Sequence, residues 1–318
     1  MRITKPLTVA LDSTNVAESS YDEWSVSTPY TVGDKVYYDP DNALVYHEFE
    51  ALTNHTGSAP AINGTTDWLD LGPANSRAMF DDRTSTQTLV DEELVVSVIP
   101  GAFFDRIALL NITGCTTINI TITEGEATLY DEDFDVSGNA EDWDEYFFGE
   151  DEDNLAALAV VPGIFAEGSP GRSSLVLNPS VFYAACTVTL TLTGTSGIDV
   201  GLGLLVIGRS RYLGETLSAP SLSIEDYSTK ETDAFGNTYL VERPYADVVS
   251  VEFILDTIQV DNVRRELAKF RATPVLYDLN NVGSSYESLV VFGYYEQFDI
   301  KLSIDQKSFC TLRVQSLV

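Results

Sequence analysis

Thr117-Ile118-Asn119-Ile120-Thr121-Ile122-Thr123 and Thr187-Val188-Thr189-Leu190-Thr191-Leu192-Thr193 decide the fold class. Both runs alternate strictly, with Thr or Asn on one set of positions and an aliphatic residue on the other. Successive side chains of a strand point to opposite faces, so each run reads as a strand with one dry and one wet face. Outward from them lie Leu94-Val95-Val96-Ser97-Val98-Ile99, Arg106-Ile107-Ala108-Leu109-Leu110-Asn111-Ile112 and Ser174-Leu175-Val176-Leu177. Pro100-Gly101 and Thr113-Gly114 punctuate these runs as turns. Strands that follow one another without helices imply antiparallel sheets. The expected fold is mainly β, with a jelly-roll-like β-sandwich over residues 76–210.

Residues 211–318 read as a small α+β domain with one main helix. Asp261 is the expected N-cap, Asn262 to Arg271 the body, and Pro274 the stop. Val248–Leu255 precedes it as a strand, and Ser288–Tyr295, Phe298–Ile304 and Cys310–Val314 follow. Arg264, Arg265, Lys269 and Arg271 gather on this helix as candidate assembly residues. An ordinary solvated helix face accounts for the same residues and is the favoured reading.

At the other end, residues 21–73 hold two Trp and five Tyr between Tyr21 and Trp68, with few aliphatics. So small a segment cannot bury a large aliphatic core, so aromatics must supply it. Those left outside would form an apolar platform suited to a sugar ring or a partner surface. Trp24, Tyr30, Tyr38, Tyr46 and Trp68 are the candidate carbohydrate-binding residues. Residues 1–20, Thr/Ser-rich after a short apolar start, read as an N-terminal arm that orders on a partner.

The chain of 318 residues carries a formal charge of −31. That charge opposes binding to nucleic acid, whose phosphates need a basic surface, and to an anionic membrane. No run is apolar enough to span a bilayer. Met1-Arg2-Ile3-Thr4-Lys5-Pro6 has no apolar core behind it, so synthesis in a cytoplasm, without a signal peptide, is expected. Cys115, Cys186 and Cys310 are far apart and read as small buried hydrophobes. Glu124 to Asp153 contains fourteen acidic residues and no Lys or Arg. A calcium loop or a dock for a basic partner would use it, but the spacing is not that of an EF-hand. A solvated insertion pinned by Trp143, Tyr146, Phe147 and Phe148 is the favoured reading.

Catalytic signatures are missing. There is no Gly-x-Ser-x-Gly elbow, P-loop, His-Glu-x-x-His or dinucleotide glycine pattern. The two histidines, His47 and His55, both lie in the aromatic segment. Asp81-Asp82 is the most noticeable carboxylate pair and reads as a turn. No enzyme activity, cofactor or metal is expected.

Two resemblances add to this reading. Trp24, Tyr30, Gly33, Asp34, Val36, Tyr38 and Trp68 fall on the pattern of small chitin-type carbohydrate-binding modules, which 21–73 resembles. Adjacent exposed Trp residues common in those modules are replaced here by Tyr46-His47-Glu48-Phe49. Residues 21–318 resemble a family of bacteriophage tail or other virion structural proteins. That resemblance is carried by Trp68-Leu69-Asp70-Leu71-Gly72-Pro73, Ala78-Met79-Phe80-Asp81-Asp82 and Asp105-Arg106-Ile107-Ala108-Leu109-Leu110-Asn111. Asp226-Tyr227-Ser228, Asp233-x-Phe235-Gly236-Asn237, Arg271-Ala272-Thr273-Pro274 and Ser288–Tyr295 continue it. It implies a virion tail protein that forms a homo-oligomer in a symmetric assembly and contacts other tail proteins. A host-glycan-binding adhesin and a polysaccharide depolymerase stand as the rival functions.

Overall fold

Ile118, Ile120 and Ile122 stand opposite Leu192, Leu190 and Val188 across an antiparallel strand pair, and Leu94, Val96 and Val98 continue the layer on the far side of that strand. All nine side chains are fully buried. The Thr and Asn residues between them face outward, as period two requires. The computed structural model describes residues 1–39, 44–136, 174–177, 185–217, 220–232, 235, 237–280, 286–302 and 306–317. The fold is mainly β and sandwich-like, with 58 % of the described residues in strands and 8 % helical, so sheets carry the core.

The chain forms two compact units. The sandwich unit comprises Thr8–Phe103 and Ile107–Leu205. Its five-stranded sheet runs in the order Ala127–Asp135, Cys115–Glu124, Thr187–Gly194, Glu93–Ile99, Ala10–Thr14. In the same unit, Ile107 to Leu110 pair with Leu177 to Ser174 and are buried on both faces, which is why that run shows no alternation. Gly114 closes the turn between two of these strands at φ +64, and a Cβ there would lie 2.1 Å from the Asp199 carbonyl oxygen. Only glycine fits both the left-handed backbone and that approach.

The aromatic segment lies in the sandwich unit and has a small core of its own. Asp22–Glu23, Lys35–Tyr38, His47–Ala51 and Trp68–Pro73 form a four-stranded sheet, and Pro29–Tyr30 pairs with His55–Thr56. Tyr30, Val36, Phe49, Ala51 and Trp68 are buried together. The Gly33-Asp34 turn behaves as its sequence suggests. Gly33 adopts φ +91, and the Asp34 carboxylate accepts bonds from the Thr31 amide and hydroxyl at 2.7 and 3.0 Å.

The second unit comprises Met1–Leu7, Phe104–Arg106 and Val206–Val318. Here Arg2–Pro6 lies between Gly208–Tyr212 and Val275–Asp278. Val290–Lys301, Lys307–Ser316 and Tyr245–Asp256 follow in the sheet, and Glu215–Thr216 and Ser221–Asp226 both pair with Tyr245–Asp256. The helix α1, Val260–Lys269, lays Val260, Val263 and Leu267 into a core with Phe253, Leu255 and Leu312. Their three- and four-residue spacing is that of one helix face.

Three local features depart from the sequence reading. Residues 1–20 supply strands Arg2–Pro6 and Ala10–Thr14 instead of a free arm. Asn15 fastens the second of these, donating to the Glu93 carbonyl at 2.7 Å and accepting from the Val95 amide at 2.9 Å. So few inward residues, Ile3 chief among them, leave no visible period. Asp261 sits in the first turn of α1, while Gln259 occupies the cap position without a side-chain cap bond. An acid in the first turn still favours the helix through the macrodipole. Finally, the runs Ser288–Tyr295 and Phe298–Ile304 fall on one strand, Val290–Lys301, whose register shifts between Tyr295 and Gln297, while Ser303 and Ile304 lie outside the described residues. That irregularity breaks the alternation.

Candidate functional site

The five aromatic candidates separate by burial. Tyr30, Tyr46 and Trp68 are interior, while Trp24 and Tyr38 are half-buried. Trp68 donates its Nε1 to the Ser58 carbonyl at 2.9 Å and meets Tyr30 edge-on at 5.1 Å between ring centres. His55 packs edge-on against Trp68 at 4.8 Å, with both ring nitrogens buried, so it serves as part of this aromatic core. Tyr46 lies under the Arg77 guanidinium at 4.9 Å and donates its hydroxyl to the Glu18 carbonyl at 3.2 Å. Arg77 in turn pairs with the Glu18 carboxylate at 2.9 Å. Trp24 and Tyr38 form the remaining pair, at 5.2 Å and 78°. Perpendicular rings present an edge and a face, not one continuous plane.

The other histidine is also structural. His47 Nδ1 lies 2.8 Å from Asp70 Oδ1, and Asp70 also accepts from the Gly72 and Asn63 amides at 2.9 and 2.7 Å. Burial pushes the Asp70 carboxyl up, but these bonds outweigh it and hold the group below its ordinary range. A carboxylate depressed in the folded state adds stability that is present above its unfolded pKa of about 3.9 and lost as pH falls through the folded value. Asp70→Asn should therefore flatten the loss of module stability below pH about 4. Urea unfolding followed across that range checks this, and an unchanged acid limb would count against the pairing.

Asp81 and Asp82 close the 3₁₀ turn Asn75–Phe80. Burial raises both carboxyls, and for Asp82 the neighbouring Asp81 charge adds to it. Asp81 accepts from the Thr86 hydroxyl at 2.6 Å and the Arg83 amide at 2.9 Å, which is the bonding of a turn. Of the acidic segment, residues 124–136 are described; Trp143, Tyr146, Phe147 and Phe148 lie outside the described residues. From the neighbouring strand Cys115–Glu124, Asn119 Nδ2 donates to Asp131 Oδ1 and Asp133 Oδ1, each at 2.9 Å. Among the described residues, no group of three or more His, Cys, Asp or Glu side chains is placed to hold a metal ion.

The cysteines are buried and free. Burial pushes the Cys115 and Cys310 thiols up to about 11 and raises Cys186 as well. Thiolate is the reactive form, so native protein at pH 8 should react with a disulfide reagent far more slowly than unfolded protein. Fast reaction of three thiols in the native state would contradict that burial.

On α1, Arg264, Arg265, Lys269 and the following Arg271 are exposed. Lys269 pairs with Glu266 at 2.7 Å, Arg265 donates to the Asn262 side chain at 2.6 Å, and Arg271 donates to the Ala268 carbonyl at 2.9 Å. All three partners lie within four residues along the chain, so these bonds are local to the helix.

The sequence reading missed a further surface. Ser221–Asp226 pairs with Tyr245–Ser250, and the chain between them continues as a two-stranded ribbon, Thr229–Thr232 with Thr238–Val241. Every residue of Ser221–Asp226 and of Thr238–Val241 is exposed. Leu222, Ile224 and Tyr227 lie on the first part of this arm. Phe235 lies at its turn, and Tyr239, Leu240, Val241 and Tyr245 lie on the return. All eight are between 45 % and 91 % exposed, far beyond scattered surface apolars. The uninterrupted Tyr239-Leu240-Val241 was the available signal, but it reads equally as a buried strand. Scanned against known proteins, the chain matches no family model and no curated sequence.

Proposed function

We propose that this chain is a non-enzymatic structural component of a bacteriophage virion, a tail protein that assembles with itself and with neighbouring tail proteins. The observation that carries the assembly half is the apolar arm at 221–245. A monomeric protein seldom exposes so many large apolar side chains on one projection. The tail assignment is carried by the sequence resemblance over 21–318. The charge of −31 keeps free subunits soluble while such a surface is exposed. Quantitative mass spectrometry of gradient-purified virions tests the reading. A fixed copy number per particle is expected, and absence from intact particles would refute it.

Glycan binding by the aromatic segment is the second reading, favoured by the half-buried Trp24–Tyr38 pair. A glycan array with wild type and Trp24→Ala separates the two. Binding lost in the variant would make the chain an adhesin. Reducing-sugar release from host polysaccharide, abolished by one Asp or Glu substitution, would make it a depolymerase.

A further inference from the structure

We infer that the 221–245 arm of one copy docks on helix α1 of a second copy, in a head-to-tail contact. This rests on the self-assembly reading above and assigns it two surfaces. The arm needs an occupant. Its large apolar side chains stand exposed, and a two-stranded ribbon gains stability when such side chains are covered. Register places Leu240 on one face with Lys230, and Tyr239 and Val241 on the other with Glu231 and Thr229. Both faces are therefore partly apolar, as suits an element enclosed by a partner.

Area and charge favour a second copy. Four of the eight residues are aromatic, and together the eight offer apolar area on the order of 800 Å² over both faces of the arm, the share of each partner in a standard interface when the arm is enclosed. Residues 221–245 carry Glu225, Asp226, Glu231, Asp233 and Glu242 against Lys230 and Arg243, a net of three negative charges. The complementary surface is on the same chain. Residues 260–271 carry Arg264, Arg265, Lys269 and Arg271 against Asp261 and Glu266, a net of two positive charges; the three Arg are exposed, and Ile258, ahead of the helix, is 89 % exposed. With 18 Lys and Arg against 49 acids, such a cationic face is scarce on this protein. Opposite charges across the contact would steer the encounter and fix its orientation. Arm and helix are different surfaces, so the contact is heterologous and propagates into a ring when its rotation closes.

Light scattering on the full-length chain, read over a range of protein concentrations, tests this. Wild type should form an oligomer. Arg264→Glu with Arg265→Glu should weaken association at least about tenfold, because like charges then face each other. Leu240→Ser with Val241→Ser should do the same at unchanged thermal midpoint, since both residues are exposed. Mixing the helix-reversed chain with an arm-reversed chain, Glu231→Arg with Glu242→Arg, should restore assembly. A wild-type oligomer that survives either set of changes, or fails to reappear on mixing, overturns this contact and leaves self-assembly standing. A wild-type chain that stays monomeric at its highest soluble concentration overturns both.

Discussion

Trp68→Ala is expected to unfold the aromatic segment at a cost of about 3–5 kcal/mol, the usual range for deleting a fully buried large aromatic. The loss has two sources. The cavity would open between Tyr30 and His55, whose rings meet Trp68 edge-on. The Ser58 carbonyl would also lose the indole donor that reaches it at 2.9 Å. Trp24 should behave otherwise. Its Nε1 is buried without a hydrogen-bond partner, so Trp24→Phe removes an unsatisfied donor and leaves a smaller aromatic ring against Tyr38. That change should be close to neutral. Hydrogen exchange of the 21–73 amides in both variants checks the contrast. Unaltered protection in Trp68→Ala would show that the core does not depend on this ring.

Asp278→Ala should destabilise the second unit by a similar amount, about 3–5 kcal/mol. Arg106 is only 1 % exposed and donates Nη1 to Asp278 Oδ2 at 2.8 Å. Its Nε is already without a partner. Without the carboxylate, a charge would remain in the interior with nothing to offset its desolvation. The same reasoning makes Arg106→Met combined with Asp278→Ala milder than the single Asp278 change, because the buried charge leaves with its partner. Urea midpoints at constant slope measure both. A double variant no better than Asp278→Ala would mean that the ion pair is not what the site loses.

Much of the fold could be read from residue order where burial has a period. Ile118, Ile120 and Ile122 and Val188, Leu190 and Leu192 announce one dry face each, and Val263 and Leu267 announce the inner face of α1. Where burial is two-sided, as in Ile107 to Leu110, the sequence shows a strand but not its place in the sheet. Arg2–Pro6 escaped notice because Ile3 and Thr4 alone are driven inward. The candidate sites were less legible. Trp24 and Trp68 look alike in sequence, and only the tertiary packing sends one into the core. The basic residues of α1 were visible as a cluster. The arm was not, because Leu222, Ile224 and Tyr239-Leu240-Val241 carry the composition of interior strands. Their exposure follows from the fold around them, where Ser221–Asp226 pairs along Tyr245–Ser250 and the ribbon beyond it is a two-stranded sheet among the described residues.

The proposed place of this chain in a phage tail, through its own repeated contacts, has a direct test. Negative-stain microscopy of intact virions labelled with gold-bound antibodies to this protein tests it most directly. Label confined to the tail, at a constant height on every particle, is expected, as a symmetric assembly requires. Particles that carry no label, from infected cells that contain the protein in quantity, would contradict it.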